Sequence, residues 1–327
     1  MNLVLILRRL ARLAIRWYHR SMALHVRTQL LQSSVLSALT NKRVYLKLEA
    51  LQPSGSFKAR GIGAVCEDLK RRGVARFVSS SGGNAGIAVA YAGKELGVPV
   101  TVVVPETTSE RAKGIIASFG AEVIVHGASW QEAHEQAESL ARSSGSIVHP
   151  FDHPLLWSGN STLVDEIVDE GIRPDVVIVS VGGGGLYSGV VEGLRRNGLT
   201  SVPVIAVETE GMASFHTSIK RGELIELDAV TGVATSLGAK RVAEQAFALQ
   251  QVHPTRSVLV SDKQAVSACV RFLDDHRLLV EPACGAALAA VYDNAPELAE
   301  YQTIVCVVCG GCTLSADQLK TYAQAMM

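Results

Sequence analysis

Four short segments of this 327-residue chain hold residue types that do chemistry when correctly placed: PSGSFKARG (53–61), SSSGGNAG (79–86), VGGGGLYSG (181–189) and CVVCGGC (306–312). In the first, Pro53 and Gly55 end an extended stretch, and Ser56 is placed to cap a helix opening at Phe57. Lys58 then falls in the first helical turn, where a cation opposes the positive end of the helix dipole. That setting suits an amine that works uncharged. A free lysine titrates near 10.4, so use near neutrality needs a shift of roughly three units, about 4 kcal/mol. A Schiff base removes the charge outright. The plainer alternative is a solvent-facing lysine, and the agreement of the other three segments decides against it.

In the second segment, small residues leave backbone N–H groups pointing into a pocket at a helix start, which holds a carboxylate without side-chain charge. Asn84 offers a donor and an acceptor there, or serves as an ordinary cap. The glycine run 182–185 ends a strand and precedes an amphipathic helix, an arrangement that cradles phosphate; a bare tight turn is the alternative. A nucleotide P-loop is excluded because no Gly-Lys-Ser/Thr follows, and a dinucleotide fold is disfavoured by the mid-chain position. The Cys306, Cys309, Cys312 spacing raises an iron–sulfur cluster, but the fourth Cys with its Pro is missing. An odd separation on a strand also puts Cys306 and Cys309 on opposite faces.

The elements that position these residues read as alternating short Val/Ile-rich strands and longer segments of helical period. Strands are predicted at 44–48, 76–79, 100–104, 122–126, 176–181, 204–208, 258–260 and 303–309. Helices are predicted at 57–71, 84–96, 109–119, 130–142, 186–196, 212–221, 262–276 and 283–292. Buried strands each linked by a helix indicate parallel sheet in an α/β fold. The HPFDHP stretch within 146–159 reads as a loop crossing between two α/β units. Its His149 and His153 lack a third ligand of suitable spacing for a metal.

Composition narrows the partners. The chain is 48% hydrophobic, with 31 basic against 31 acidic residues and 5% aromatics, which argues against nucleic acid. Leu3–Leu7 is too short to span a bilayer, so no membrane partner is expected. Six arginines and no acid occupy residues 1–27; a transit peptide, a dispensable extension and a start codon upstream of Met22 all stay open. A cytoplasmic location with reduced cysteines is expected, or a mitochondrial one if the start is a transit peptide.

With those residues in hand, the chain resembles the fold-type II pyridoxal-phosphate family, and within it the animal-type serine dehydratase/threonine ammonia-lyase branch. QPSGSFKARGIG, SSSGGNAG, VGGGGL, HPFDHPLLWSG and VEPACGAALAAVY carry the resemblance, from about Met22 to Leu319. It implies two parallel-sheet, three-layer α/β domains with the cofactor between them: a small one of residues 52–150, and a large one of 22–51 and 151–327. It also implies that Lys58 forms the Schiff base, Phe57 packs on the ring and Asn84 bonds the ring hydroxyl. Gly182, Gly183, Gly184 and Gly185 would hold the phosphate, and Cys309 would face the pyridine nitrogen. Ser81, Gly83, Asn84 and Ala85 would receive the substrate carboxylate. Glu208, with carbonyls near Leu237, would bind a monovalent cation such as K+.

The activity so implied is loss of water from L-serine and L-threonine, with the cofactor phosphate as proton donor to the leaving hydroxyl, in a homodimer. Gly82 stands where racemases of this branch have serine and many dehydratases alanine, so little racemisation and a slower, looser carboxylate loop are expected. No regulatory domain follows Leu319, so isoleucine feedback is not expected. β-Replacement, racemisation and a low-turnover cofactor-binding protein are the rival readings.

Overall fold

The computed structural model describes residues 23–326. The arginine-rich start, with the targeting and extension readings that rest on it, lies outside them. The chain opens with β1 (Leu30–Gln32), α1 (Ser34–Thr40), β2 (Arg43–Lys47) and α2 (Lys58–Arg71). There follow β3 (Phe77–Ser79), α3 (Asn84–Leu96), β4 (Val100–Val104), α4 (Glu110–Ser118), β5 (Glu122–Val125), α5 (Trp130–Ser144) and β6 (Ser146–Ile147). Next come α6 (Pro154–Asp169), β7 (Val176–Ser180), α7 (Gly185–Arg196), β8 (Val204–Thr209), α8 (Ser214–Arg221), α9 (Glu244–Val252) and β9 (Thr255–Val260). The remainder is α10 (Asp262–His276), α11 (Pro282–Tyr292), β10 (Thr303–Val307) and α12 (Ala316–Ala325).

Two sheets result. One has the order β5-β4-β3-β6, all parallel; the other has β1-β2-β10-β7-β8-β9, parallel except for β1 at its edge. Every residue of β7, β8 and β10 is buried, so both faces of the larger sheet are covered. That burial is why these strands read as unbroken Val/Ile runs rather than alternating ones. The carboxyl ends of β3 and β7 and the segment after β10 carry three of the four chemical segments, and ligands of open parallel sheets bind at such ends.

Several elements differ from the sequence reading. Pro154–Asp169 is a helix, not the tail of a loop: His153 caps it, its Nδ1 accepting the Leu155 N–H at 3.2 Å, and Pro154 opens it. His149 Nδ1 likewise accepts the Asp152 N–H at 2.8 Å, so both histidines organise the crossing. Ser56 does not cap α2; Phe57 holds that position without a side-chain bond, and the Ser56 hydroxyl is buried with no partner among the described residues. Helices α9 and α12 and edge strand β1 carried no chemical motif and went unread. Strand β10 ends at Val307, two residues short of Cys309.

A buried ionic network ties α2 to the larger sheet. Arg60 has no exposed surface. Its Nε and Nη2 donate to Glu49 at 2.7 and 2.8 Å, and Nη1 and Nη2 donate to Glu166 at 2.8 Å each. Nη1 also reaches Thr162 Oγ1 at 2.9 Å. Lys47 pairs with Glu166, Thr28 and Gln52 donate to Glu49, and His25 lies beside the cluster. Burial pushes the Glu49 carboxyl up, but Arg60 outweighs it and holds the group below its ordinary range. Burial and then Arg60 bring His25 down to about 4.

Arg60→Met leaves two buried carboxylates facing each other, and should lower unfolding free energy in urea by about 3–5 kcal/mol. Arg60→Lys should recover only part, because the planar fork is lost. For both His25 and Glu49 the unfolded chain binds its proton at higher pH than the folded one. Stability should therefore decline as pH falls, for His25 from 6.5 toward about 4, and further as Glu49 protonates. A stability that rises on acidification across that window would contradict the network.

Candidate active site

Lys58 lies in the first turn of α2, as the sequence implied, and is its first residue, one later than read; its Nζ lies 5.2 Å from the Phe57 ring centroid. Its hydrogen-bond partner among the described residues is a backbone oxygen, Pro150 O, at 2.6 Å. Burial brings its pKa down to about 8, against the opposing pull of Cys309 and Glu281. Phe57 is itself clamped, its N–H donating to Cys309 O at 3.1 Å. Ser56 pairs with Gly310 as a lone bridge, so the lysine segment is laid directly on the loop that follows β10.

Two loops of backbone N–H are tied to the surroundings of this amine: Phe151, next to its partner Pro150, packs on Gly183, and Asn84 binds Glu281, whose charge acts on Lys58. After β7, none of the N–H groups of Gly182–Gly185 finds an acceptor among the described residues, although Gly183 O accepts from Ala243 N. Gly184 has φ 87°, a left-handed conformation that glycine takes without strain. Gly183 must also lack a side chain, since a Cβ there would come within 2.2 Å of the Phe151 ring. After β3, Asn84 and Ala85 open α3 with their N–H groups free of acceptors in the same sense, while Ser81 Oγ receives the Gly83 N–H at 3.3 Å. Gly86 lets the Ser81 carbonyl close on the helix, because a Cβ there would stand 1.8 Å from it. Each loop thus presents the first turn of a helix, α7 or α3, to an anion.

Cys309 is buried beside the site at 7% exposure. The neighbouring Cys284 thiol and burial push its pKa well up, so it is a neutral thiol. All six cysteines are free, and no three His, Cys, Asp or Glu side chains among the described residues are placed to hold a metal ion. Glu208 is fully buried at the end of β8, accepting the N–H groups of Phe215 at 2.9 Å and His216 at 2.6 Å. It lies on the larger sheet.

Asn84 does not cap α3. Its side chain crosses to the larger sheet, where Nδ2 donates to Glu281 Oε1 at 2.6 Å and Oδ1 accepts the Cys312 N–H at 3.2 Å. Glu281 escaped the sequence reading, although a signal was there. The helix it precedes, PACGAALAAVY, is buried at every residue. An acid heading a helix with no polar face has nowhere to go but inside.

A family model described as "Pyridoxal-phosphate dependent enzyme" matches residues 22–310. The chain belongs to that family. It is 45% identical over 314 residues to a human protein named L-serine dehydratase/L-threonine deaminase, covering 93% of this chain and 96% of the relative. A rat protein named serine dehydratase-like is 46% identical, covering 92% and 94%. Among solved structures, a fungal L-serine ammonia-lyase from Rhizomucor miehei superposes with TM-score 0.88 at 39% identity, covering 93% of this chain and 99% of that one. Membership implies pyridoxal phosphate, and the residues fit it: a depressed amine for the aldehyde, and unsatisfied N–H groups at the start of α7 for the phosphate.

The structure also revises the reading of Gly82. Its missing side chain leaves no empty space, because the Thr108 side chain fills it: an ideal Cβ at Gly82 would lie 2.7 Å from both Thr108 Cγ2 and Oγ1. Alanine at 82 therefore presses on the loop after β4 before it can stiffen the carboxylate loop. Gly82→Ala alone should cost about 1–3 kcal/mol, as overpacking does, and should not raise kcat with L-serine. Gly82→Ala with Thr108→Ala should recover most of that stability. Additive urea midpoints across the two sites would show that they do not touch.

Proposed function

We propose that this enzyme removes water from L-serine and L-threonine by β-elimination, releasing ammonia with pyruvate or 2-oxobutanoate. The observation that carries the reading is one depressed amine, Lys58, together with two anion-receiving helix starts and a neutral thiol. Relatives at 45–46% identity over more than nine-tenths of the chain, one named for L-serine and L-threonine and one for serine, support it.

Lys58 would hold the cofactor aldehyde, with Phe57 against the ring, Asn84 donating to the ring hydroxyl, Gly182–Gly185 receiving the phosphate and Cys309 at the pyridine nitrogen. When bound, pyridoxal phosphate supplies an electron sink for negative charge developing at the substrate Cα. The chain does the rest. The N–H groups of Asn84 and Ala85, with Ser81 and Gly83, hold the substrate carboxylate and so turn the Cα–H toward Lys58. Lys58, titrating near 8, is a base of suitable strength for that proton near neutral pH. Cys309 donates weakly and cannot fix a proton on the pyridine nitrogen as a carboxylic acid would. A thiol in that place would favour early departure of the β-hydroxyl over transamination.

Lys58→Ala should lower release of both oxo acids at least ~1,000-fold while leaving the fold intact by circular dichroism. A variant retaining a tenth of wild-type pyruvate release would refute the assignment.

We read Glu208 as the carboxylate of a monovalent-cation site. Burial pushes its pKa up to about 8 in spite of two N–H donors, and the hydroxyls of Thr209, next in sequence, and of Ser214, which precedes the donor Phe215, are buried with no partner among the described residues. A cation such as K+ would take the place of that proton. Potassium should raise the melting temperature of wild type relative to a large organic cation, and Glu208→Gln should abolish the difference; a Gln variant that still responds would exclude this site.

A further inference from the structure

Asn84 and Glu281 begin or precede helices on the two sides of the site, α3 and α11, and meet at 2.6 Å. The same Asn84 Nδ2 reaches Ser236 Oγ at 3.3 Å, while Oδ1 accepts the backbone N–H of Cys312 at 3.2 Å. A carboxamide keeps its shape when flipped, but a carboxylate only accepts and a backbone N–H only donates. With one of each on its two sides, Asn84 has a single orientation. Glu281 is fixed in turn from behind. Thr313 Oγ1 donates to its Oε2 at 3.0 Å, and a Cβ on Gly311 would fall 2.0 Å from the carboxyl carbon. The carboxylate is 5% exposed and forms no ion pair among the described residues.

We propose that Glu281 is a positioning residue for the cofactor, committing the Asn84 amide to act as hydrogen-bond donor toward the pyridoxal ring. This rests on the cofactor reading and not on the choice of substrate. The Nδ2 hydrogen that is not given to Glu281 has only the long Ser236 contact, so it is the one available to an incoming acceptor. The carboxylate also sets the local field. The ionisable groups that face it are Lys58 from α2, Cys269 from α10, and Cys309 and Cys312 from the segment after β10. Lys58 is the cation among them. Burial raises the Glu281 carboxyl, against hydrogen bonds from Ser236, Thr313 and Asn84 and the pull of Lys58, and its charged form favours a proton on the Lys58 nitrogen.

The test uses holoenzyme, with three readouts besides turnover: cofactor retention on dialysis, the pH midpoint of the visible chromophore, and melting temperature. Glu281→Gln keeps an oxygen that accepts from Asn84 but loses the charge. It should retain cofactor within about threefold of wild type and shift the chromophore midpoint acidward by roughly one pH unit. Glu281→Ala should release cofactor at least about tenfold more readily, and the Asn84→Ala/Glu281→Ala double variant should be no worse than Asn84→Ala. Losses that multiply in the double variant, or a melting-temperature drop with retention and midpoint unchanged, would reduce Glu281 to a structural acid and overturn the proposal. Should Glu281→Ala not fold, an unmoved midpoint in Glu281→Gln is itself decisive against it. Wild type with no chromophore, and no borohydride-trapped adduct on Lys58, would instead bring down the cofactor assignment.

Discussion

Arg60 follows Lys58 by two residues on α2, and its guanidinium is enclosed between Glu49, just beyond β2, and Glu166 on α6. Taking such an ion out of water costs several kcal/mol, and the interior returns it only if every donor is matched. Here they are matched: Nε, Nη1 and Nη2 make five bonds of 2.7–2.9 Å to Glu49, Glu166 and Thr162. Helix α2 cannot slide or rotate without uncovering charge. The first turn is thereby fixed, and with it the amine at Lys58. Every other feature of the site is placed relative to that turn.

The charges of the site follow a consistent economy. Arg60 brings strong cationic charge into the protein but spends it wholly on two carboxylates, so none reaches the pocket. The pocket itself holds one amine brought down to about 8, one buried acid, and thiols raised by burial. Its anion-binding power comes from backbone N–H at the starts of α3 and α7. Dipoles of this kind are oriented by the fold and need no reorganisation when an anion arrives. A lysine that must alternate between covalent attachment and proton transfer works better beside fixed dipoles than beside competing cations, which would depress its basicity further.

Much of this was legible from the chain because glycine runs and a helix-opening lysine are local signals. Lys58, the 182–185 loop and the 79–86 loop stand where their neighbours in sequence put them. What escaped was what depends on distant partners. Nothing near Arg60 reveals that Glu49 and Glu166 enclose it, and α6, which carries Glu166, was itself hidden because HPFDHP reads as loop. The His153–Pro154 step is in fact a cap and first turn, so the same residues that argued against a helix begin one. Ser56 failed as a cap for a related reason: its segment bridges to Gly310, a tertiary contact that overrides local preference. Likewise Gly82 signalled an absent side chain but could not signal that Thr108 occupies the space.

The two sheets meet through links of unequal strength on the two sides of Lys58. On one side lies the Arg60 lattice, two carboxylates deep, where loss of one partner strands buried charge. On the other lies Asn84, bound to Glu281 by one charge-assisted hydrogen bond and to the Cys312 N–H by a neutral one. Hydrogen bonds of those kinds contribute about 1.5–3 and 0.5–1.5 kcal/mol, and Glu281 keeps its bond from Thr313 when Asn84 leaves, whereas opening the lattice strands the buried charges of Arg60, Glu49 and Glu166, at about 3–5 kcal/mol for one lost partner. The loop holding Ser81, Gly83, Asn84 and Ala85, proposed above to receive the substrate carboxylate, is therefore the side that can yield, while the lysine helix is the side that cannot. On the proposed roles, a site so built adjusts its grip on the carboxylate of serine or threonine without moving the Lys58 amine.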